Sequence, residues 1–277
     1  MSDGTKSFAE LFAALENFGV NCPTCGAPLF RPKVLSRETG KKMAGACMRC
    51  GYKQPPTEKR SKTTKTNPQL QHDARKNRTI GYYLNYSIFA NESIMAKDFG
   101  NFRHDTPGQK ELMNFGESIA QQIINKPDPV HALIVGTPGV GKSHIANGML
   151  VAIQKGSDYQ MTTMFVDWHR LMKLRKQGFS DDAKDVKAKI DGVMDQMAKA
   201  DVVVIDDIGA DRGTDFDKDL AGEVYRLRED KTVITTTNLK GSDLRAYMDD
   251  ERTMSRMSAH SQGATFAVRG IADQRGA

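Results

Sequence analysis

The sequence predicts an α/β protein built on a parallel five-stranded sheet, preceded by a small cysteine-bearing module. Three observations predict it. Gly136-Thr137-Pro138-Gly139-Val140-Gly141-Lys142-Ser143 follows an apolar strand candidate at 131–135 and opens a helix-compatible stretch. Val202-Val203-Val204-Ile205 is an all-apolar β-branched run, as expected of a strand buried on both faces, and it ends in Asp206-Asp207. From residue 131 onward, strand candidates at 131–135, 163–166, 202–205, 232–236 and 265–268 alternate with helix candidates at 143–154, 167–177, 183–199, 217–228, 242–247 and 250–258. That alternation implies a parallel sheet with helices on both faces.

The first motif has the form G-x-x-x-x-G-K-[ST], in the strand–loop–helix context that gives it meaning. Its glycines let backbone N–H groups close around phosphate oxygens, and the helix N-terminus adds a positive dipole end. Lys142 is placed to reach the β- and γ-phosphates of a nucleotide, and the Ser143 hydroxyl to ligate Mg²⁺. Carboxylates at the C-terminal end of a parallel strand lie where open α/β sheets bind ligands. Asp206 is the candidate for holding Mg²⁺ through water, and Asp207 for polarising an attacking water. The strand candidate at 232–236 leads to Asn238, whose amide suits either orienting that water or simply ending a strand.

The chain has 277 residues, enough for one sizeable core and an appendage. No apolar stretch approaches 18 residues, which excludes a membrane-spanning helix, and the first residues lack a signal-peptide layout. A cytoplasmic protein is expected. Residues 1–80 hold 15 Lys/Arg against 6 Asp/Glu, whereas residues 81–277 hold 25 against 28. The basic character therefore belongs to the N-terminal part. It suits nucleic acid or an acidic protein partner, and equally a solvated linker.

In that part, Phe8, Leu11, Phe12, Leu15 and Phe18 fall on one face of a helix expected at 7–18, which either docks on a partner or packs on its own neighbour. Cys22-Pro23-Thr24-Cys25 and Cys47-Met48-Arg49-Cys50 are two C-x₂-C pairs 21 residues apart, with a hairpin between them expected to turn at Glu38-Thr39-Gly40. The spacing fits a four-thiolate structural zinc site on Cys22, Cys25, Cys47 and Cys50; two disulfides are the competing reading, disfavoured in the cytoplasm. Three regions follow: 1–52 as helix and zinc module, 53–79 as a basic linker rich in Pro, Lys and Thr, and 80–277 as the ATPase core. Tyr82, Tyr83 and Tyr86, beside Arg75, Lys76 and Arg78, either stack on bases or pack on the core. Thr106-Pro107 signals the start of a helix running to about Ile124.

Two further features narrow the family. Glu251-Arg252-Thr253-Met254-Ser255-Arg256 places two arginines one helical turn apart, and Phe99-Gly100-Asn101-Phe102 precedes the core. With Asp206-Asp207-Ile208-Gly209-Ala210, residues 97–277 resemble the DnaC/DnaI-type replicative helicase loaders, AAA+ ATPases related to the IstB-like ATPases of transposition. The zinc module and linker are similar to the DnaI-like branch. The resemblance implies an AAA+ P-loop NTPase fold with a minimal lid. Gly136 to Ser143 then match Walker A, Asp206-Asp207 Walker B and Asn238 sensor 1. Arg256 matches the arginine finger that completes a neighbouring subunit's ATP site, and Arg275 the sensor 2 arginine. Asp207 stands where many such proteins carry Glu, which implies slow, switch-like hydrolysis. The resemblance further implies that an N-terminal module grips a DnaB-type helicase while the AAA+ domains self-assemble and contact single-stranded DNA. An IstB-like regulator of transposition shares the same core and is the alternative. A small-molecule kinase needs an acceptor pocket and lid that nothing after Thr236 supplies.

Overall fold

The computed structural model describes residues 14–36, 40–55, 66–126, 128–178, 184–209, 214–248 and 251–274. The chain divides into two units, Met1–Lys65 and Thr66–Ala277.

The first unit holds an antiparallel sheet of β1 (Leu15–Asn21), β2 (Pro28–Pro32) and β3 (Ala46–Cys47), in that order. Its buried apolar centre is Leu29 with Cys22 and Cys47. The helix expected at 7–18 lies outside the described residues up to 13, and its second half is a strand. Leu15 pairs with Pro32 and Asn17 with Phe30, so sheet pairing overrides the local helical period. Phe18 lies under the Arg31 guanidinium, 4.4 Å from its carbon, rather than on a helix face. The hairpin between the cysteine pairs is present, with Leu29 opposite Cys47 and Leu35 bridged to Lys42. Its turn at 37–39 is outside the described residues.

The second unit opens with α1 (Asn67–Tyr86). Composition assigns 67–79 to a linker, and the structure corrects this. Pro68 sits in the first helical turn, and the Thr66 N–H donates to Gln69 Oε1 at 2.9 Å, so the start is capped. The helix is held by tertiary bonds: Thr79 Oγ1 donates to Tyr159 O at 2.6 Å, Tyr82 Oη to Gln196 O at 2.6 Å, and Tyr83 Oη to Asn147 Oδ1 at 2.6 Å. The tyrosines thus pack on the core.

The main sheet has the order β5-β6-β7-β4-β8, all parallel: β4 (His131–Val135), β5 (Thr163–Asp167), β6 (Val202–Ile208), β7 (Thr232–Thr237) and β8 (Thr265–Ala267). The five strands match those expected. On one face, α2 (Pro107–Asn125) and α3 (Lys142–Gly156) bury Leu112, Ile119, Ile145, Met149, Leu150 and Ile153 against Val202, Val204 and Ile134. On the other, α4 (Trp168–Gln177), α5 (Lys184–Lys199), α6 (Asp215–Leu227), α7 (Gly241–Met248) and α8 (Glu251–Ser258) supply a core that includes Trp168, Leu171, Met197, Val224 and Tyr225 around Val203 and Ile205. Alternate residues of β6 therefore feed both cores, which is why the run carries no polar residue before Asp206. Each such aliphatic side chain contributes about 1.5–3 kcal/mol on burial. None of the described helices is long and apolar enough to cross a membrane.

The candidate nucleotide site and cysteine cluster

The ends of β4, β6 and β7 converge on one cavity of about 700 Å³, lined by Pro138, Gly139, Gly141, Lys142, Ser143, Asp206, Asp207 and Asn238. Sequence reasoning named all of these. The loop from Gly136 closes onto the N-terminus of α3 through left-handed residues at Gly139 (φ +82°) and Gly141 (φ +95°). A side chain at Gly141 would also strike the Phe102 ring, so the position demands glycine twice over.

Lys142 is buried and donates to Gly136 O at 2.9 Å, Thr137 O at 3.1 Å and Asn238 Oδ1 at 2.6 Å. Asn238 Nδ2 in turn donates to Asp207 Oδ1 at 2.6 Å. Asp207 has a left-handed backbone (φ +58°), and its N–H donates to Thr236 Oγ1 at 2.8 Å. That strain re-aims the carboxylate where β6 pairing with β7 shifts register, between Ile205 and Ile208. Asp206 accepts from Thr236 Oγ1 at 2.6 Å. Burial raises its carboxyl to about 6, against the opposing hydrogen bonds from Thr236 and Ser143. A divalent cation would reverse that burden by supplying positive charge, and the Ser143–Asp206 pair is the donor set expected to hold one.

Sequence reasoning missed the second wall of the cavity, which includes Asn91, Ser93, Lys97, Asn101 and Arg103. It is fastened to α3: Asn147 Nδ2 donates to Ile94 O and Lys97 O at 3.0 and 2.7 Å, and His144 Nε2 donates to Asp98 O at 2.9 Å. Phe99 fits against Gly116 and Gly148, where a Cβ would come within 3.1 and 2.9 Å of its ring. The Phe99-Gly100-Asn101-Phe102 signal pointed to this segment without disclosing its place. Gln274 also lines the cavity and was not foreseen.

Arg256 is elsewhere. Its Nε donates to Glu229 Oε2 at 3.0 Å, and with Arg226, Arg252, Lys218 and Asp219 it lines a separate charged cleft of about 560 Å³. It does not reach the cavity of its own chain. Arg275 lies outside the described residues.

In the first unit, the Cys22, Cys25, Cys47 and Cys50 sulfurs all lie within 4.8 Å of one another, with Cys22–Cys50 and Cys25–Cys47 each 3.5 Å apart. A tetrahedron with metal–sulfur bonds of about 2.3 Å has edges of about 3.8 Å, so the set fits a zinc-sized ion. The two knuckles are alike: Gly26 N donates to Cys22 O at 2.9 Å and Gly51 N to Cys47 O at 3.0 Å. All four are free thiols, so the disulfide reading does not hold. Burial pushes the Cys22 thiol up, but N–H groups of Thr24 and Cys25 and the neighbouring thiols together draw it down to about 6. The Tyr52 N–H draws the Cys50 thiol down, but burial and the three neighbouring thiols together push it up to about 12, so metal binding by all four sulfurs must be coupled to release of protons.

The family model for the IstB-like ATP binding protein matches residues 69–259. Among solved structures, DnaI is similar at 18% identity and a TM-score of 0.51, over 68% of this chain and 96% of that one. A putative primosome component from Streptococcus pyogenes serotype M3 is similar at 16% identity and a TM-score of 0.54, over 72% of this chain and 100% of that one. Domain III of the Thermotoga maritima replication initiation protein DnaA is similar at 15% identity and a TM-score of 0.50, over 67% and 70%. These likenesses establish a shared fold. No curated protein matches the sequence.

Proposed function

Because the chain belongs to the family of IstB-like ATP-binding proteins, we propose that its ATP cycle serves to load a hexameric DnaB-type helicase onto single-stranded DNA. The core is an AAA+ ATPase. The observation that carries the finer reading is the pairing of that core, whose fold is that of DnaI, with a separate Cys₄ unit ahead of it.

In this reading Lys142 and the loop N–H groups neutralise the β- and γ-phosphates. Ser143 and Asp206 hold Mg²⁺, which when bound would offset developing phosphate charge. Asp207, oriented by Asn238, polarises the attacking water. Arg256, which faces a cleft away from its own cavity, completes the site of a neighbouring copy. Self-assembly and single-stranded DNA contact belong to the same proposal. The metal of the Cys₄ unit is zinc in a structural role, since all four positions are taken by protein thiolates. That unit is assigned to the helicase.

The family match itself favours a second reading, an AAA+ regulator of transposition on duplex DNA. Size-exclusion chromatography with MgATP separates the two. A loader co-elutes with a hexameric replicative helicase, whereas a regulator ignores the helicase and forms filaments on duplex DNA.

A further inference from the structure

His131, the first residue of β4, is 4% exposed, and its ring meets carbonyl oxygens at both nitrogens. Nδ1 lies 2.6 Å from Arg256 O, in the last turn of α8, and Nε2 lies 3.1 Å from Lys231 O, just ahead of β7. The His131 backbone N–H also donates to His260 O at 3.1 Å, so main chain and side chain of this one residue both fasten the end of α8. Carbonyls only accept, and a neutral imidazole has one N–H, so the ring serves one of the two oxygens at a time. Burial favours the neutral ring, pulling it below the usual histidine range against the bonds to the two carbonyls, and the neighbouring His260 ring acts in the same direction. The shorter contact places the proton on Nδ1, donating to Arg256.

Of the eight residues of α8, Thr253 and Met257 are buried. A helix this short takes its position from tertiary anchors rather than from its own propensity. The Arg256 side chain is held separately, its Nε donating to Glu229 Oε2 at 3.0 Å. Arg256 is thus gripped at both ends, its backbone by His131 and its guanidinium by Glu229. The guanidinium must leave Glu229 before it can reach phosphate on another copy. Half of the Glu229 side chain is exposed, and such pairs are readily exchanged. The bond to His131 is buried and stays in place when the pair opens.

We propose that His131 is a positioning residue for Arg256: its Nδ1–H holds the Arg256 carbonyl to the start of β4, and so aims the guanidinium at the site of a neighbouring copy once Glu229 releases it. The inference rests on the reading of Arg256 as a finger acting between copies. The competing role is through β4 itself, which runs from His131 into the phosphate loop of the same chain at Gly136.

The test uses the full-length protein and two variants of matched polarity. His131→Asn carries its amide donor where Nδ1 stands and can still bond Arg256 O. His131→Gln carries it farther out, where Nε2 stands, and bonds Lys231 O instead. Monomer ATP affinity, melting temperature and assembly-dependent hydrolysis are measured for each. His131→Gln is expected to bind ATP as the wild type does and to lose roughly 10–100-fold in assembly-dependent turnover, the cost of displacing a charge-stabilising group by about an ångström. Mixing it with Lys142→Ala, whose finger is intact, should restore part of that activity. His131→Asn should keep the wild-type rate. Wild-type turnover in His131→Gln, equal losses in both variants, weakened monomer ATP binding, no recovery in the mixture, or a loss that tracks a lowered melting temperature each overturns the proposal. Arg256→Ala run beside them separates the two levels. If that variant keeps assembly-dependent hydrolysis, the finger assignment itself fails; if it loses hydrolysis while His131→Gln does not, only the role of His131 fails.

Discussion

Lys142 and Asn238 are joined by a 2.6 Å hydrogen bond from ammonium to amide oxygen, and this fixes which way the amide faces. An ammonium only donates, so the Asn238 oxygen must turn to Lys142 and its NH₂ to Asp207. One side chain thereby links the residue that meets phosphate to the one that meets water. Lys142→Ala should abolish nucleotide binding. Asp207→Asn and Asn238→Ala should keep ATP affinity within a few-fold and lower turnover by roughly 10²–10⁴. Equilibrium binding and single-turnover hydrolysis measure the two effects separately.

Asp206 is expected to penalise the folded state above pH 6. Its carboxyl is raised by burial from 3.8 to about 6, so the folded chain holds the proton more tightly than the unfolded one. The contribution to stability is therefore full below pH 4 and is lost as pH rises through about 6, a difference on the order of 3 kcal/mol. Asp206→Asn should raise the nucleotide-free melting temperature by several degrees at pH 7.5 and by little at pH 4.5, while eliminating Mg²⁺-dependent hydrolysis. In the wild type, Mg²⁺-ATP affinity should decline as pH falls from 7 to 5.

Arg228 is expected to be a structural linchpin. Fully buried, it donates to Met197 O, Ala200 O, Asp201 O and Thr232 O, tying the end of α5 to the start of β7. Arg228→Met should cost about 2–5 kcal/mol by stranding those carbonyls, and Arg228→Lys should rescue little, since three donors on one atom cannot reproduce the fork. Urea denaturation of the two variants checks this.

The Cys₄ unit should carry one zinc per chain. Its apolar centre is too small to fold it unaided, with Leu29 the main aliphatic residue. A strong chelator should melt this unit and leave ATP binding intact, as followed by elemental analysis and by circular dichroism. Cys25→Ser should lower zinc content in the same way.

The strands, the phosphate loop, Asp206-Asp207 and the cysteine pairs were legible because each depends on short-range chemistry. A buried parallel strand must be apolar throughout, and a glycine-rich turn into a helix has few other uses. The linker reading of 67–79 failed because α1 has few apolar residues and owes its place to Thr79, Tyr82 and Tyr83, whose partners lie 80, 114 and 64 residues away. The start of β1 failed for a related reason: a helical period at Leu15 and Phe18 yields to pairing with β2. The cavity's second wall and Gln274 were invisible because no local pattern announces a segment whose partners are on α3 or the phosphate loop.

Arg256 pairs with Glu229 on its own chain and points away from its own cavity, so its role should appear only in assembly. Arg256→Ala should bind ATP normally as a monomer and lose assembly-dependent hydrolysis. Mixing it with Lys142→Ala should restore part of the activity that each lacks, the first contributing a phosphate loop and the second a finger. Loss of ATP binding by monomeric Arg256→Ala would mean the residue acts within its own chain.

The central claim is tested most directly by helicase deposition on circular single-stranded DNA, where no free end permits threading. With the full-length chain and ATP, a hexameric DnaB-type helicase should become bound to the circle and unwind an annealed strand, and Lys142→Ala should not support this. Equal unwinding with and without the chain, or ATP-dependent coating of duplex DNA with no effect on the helicase, would contradict the account.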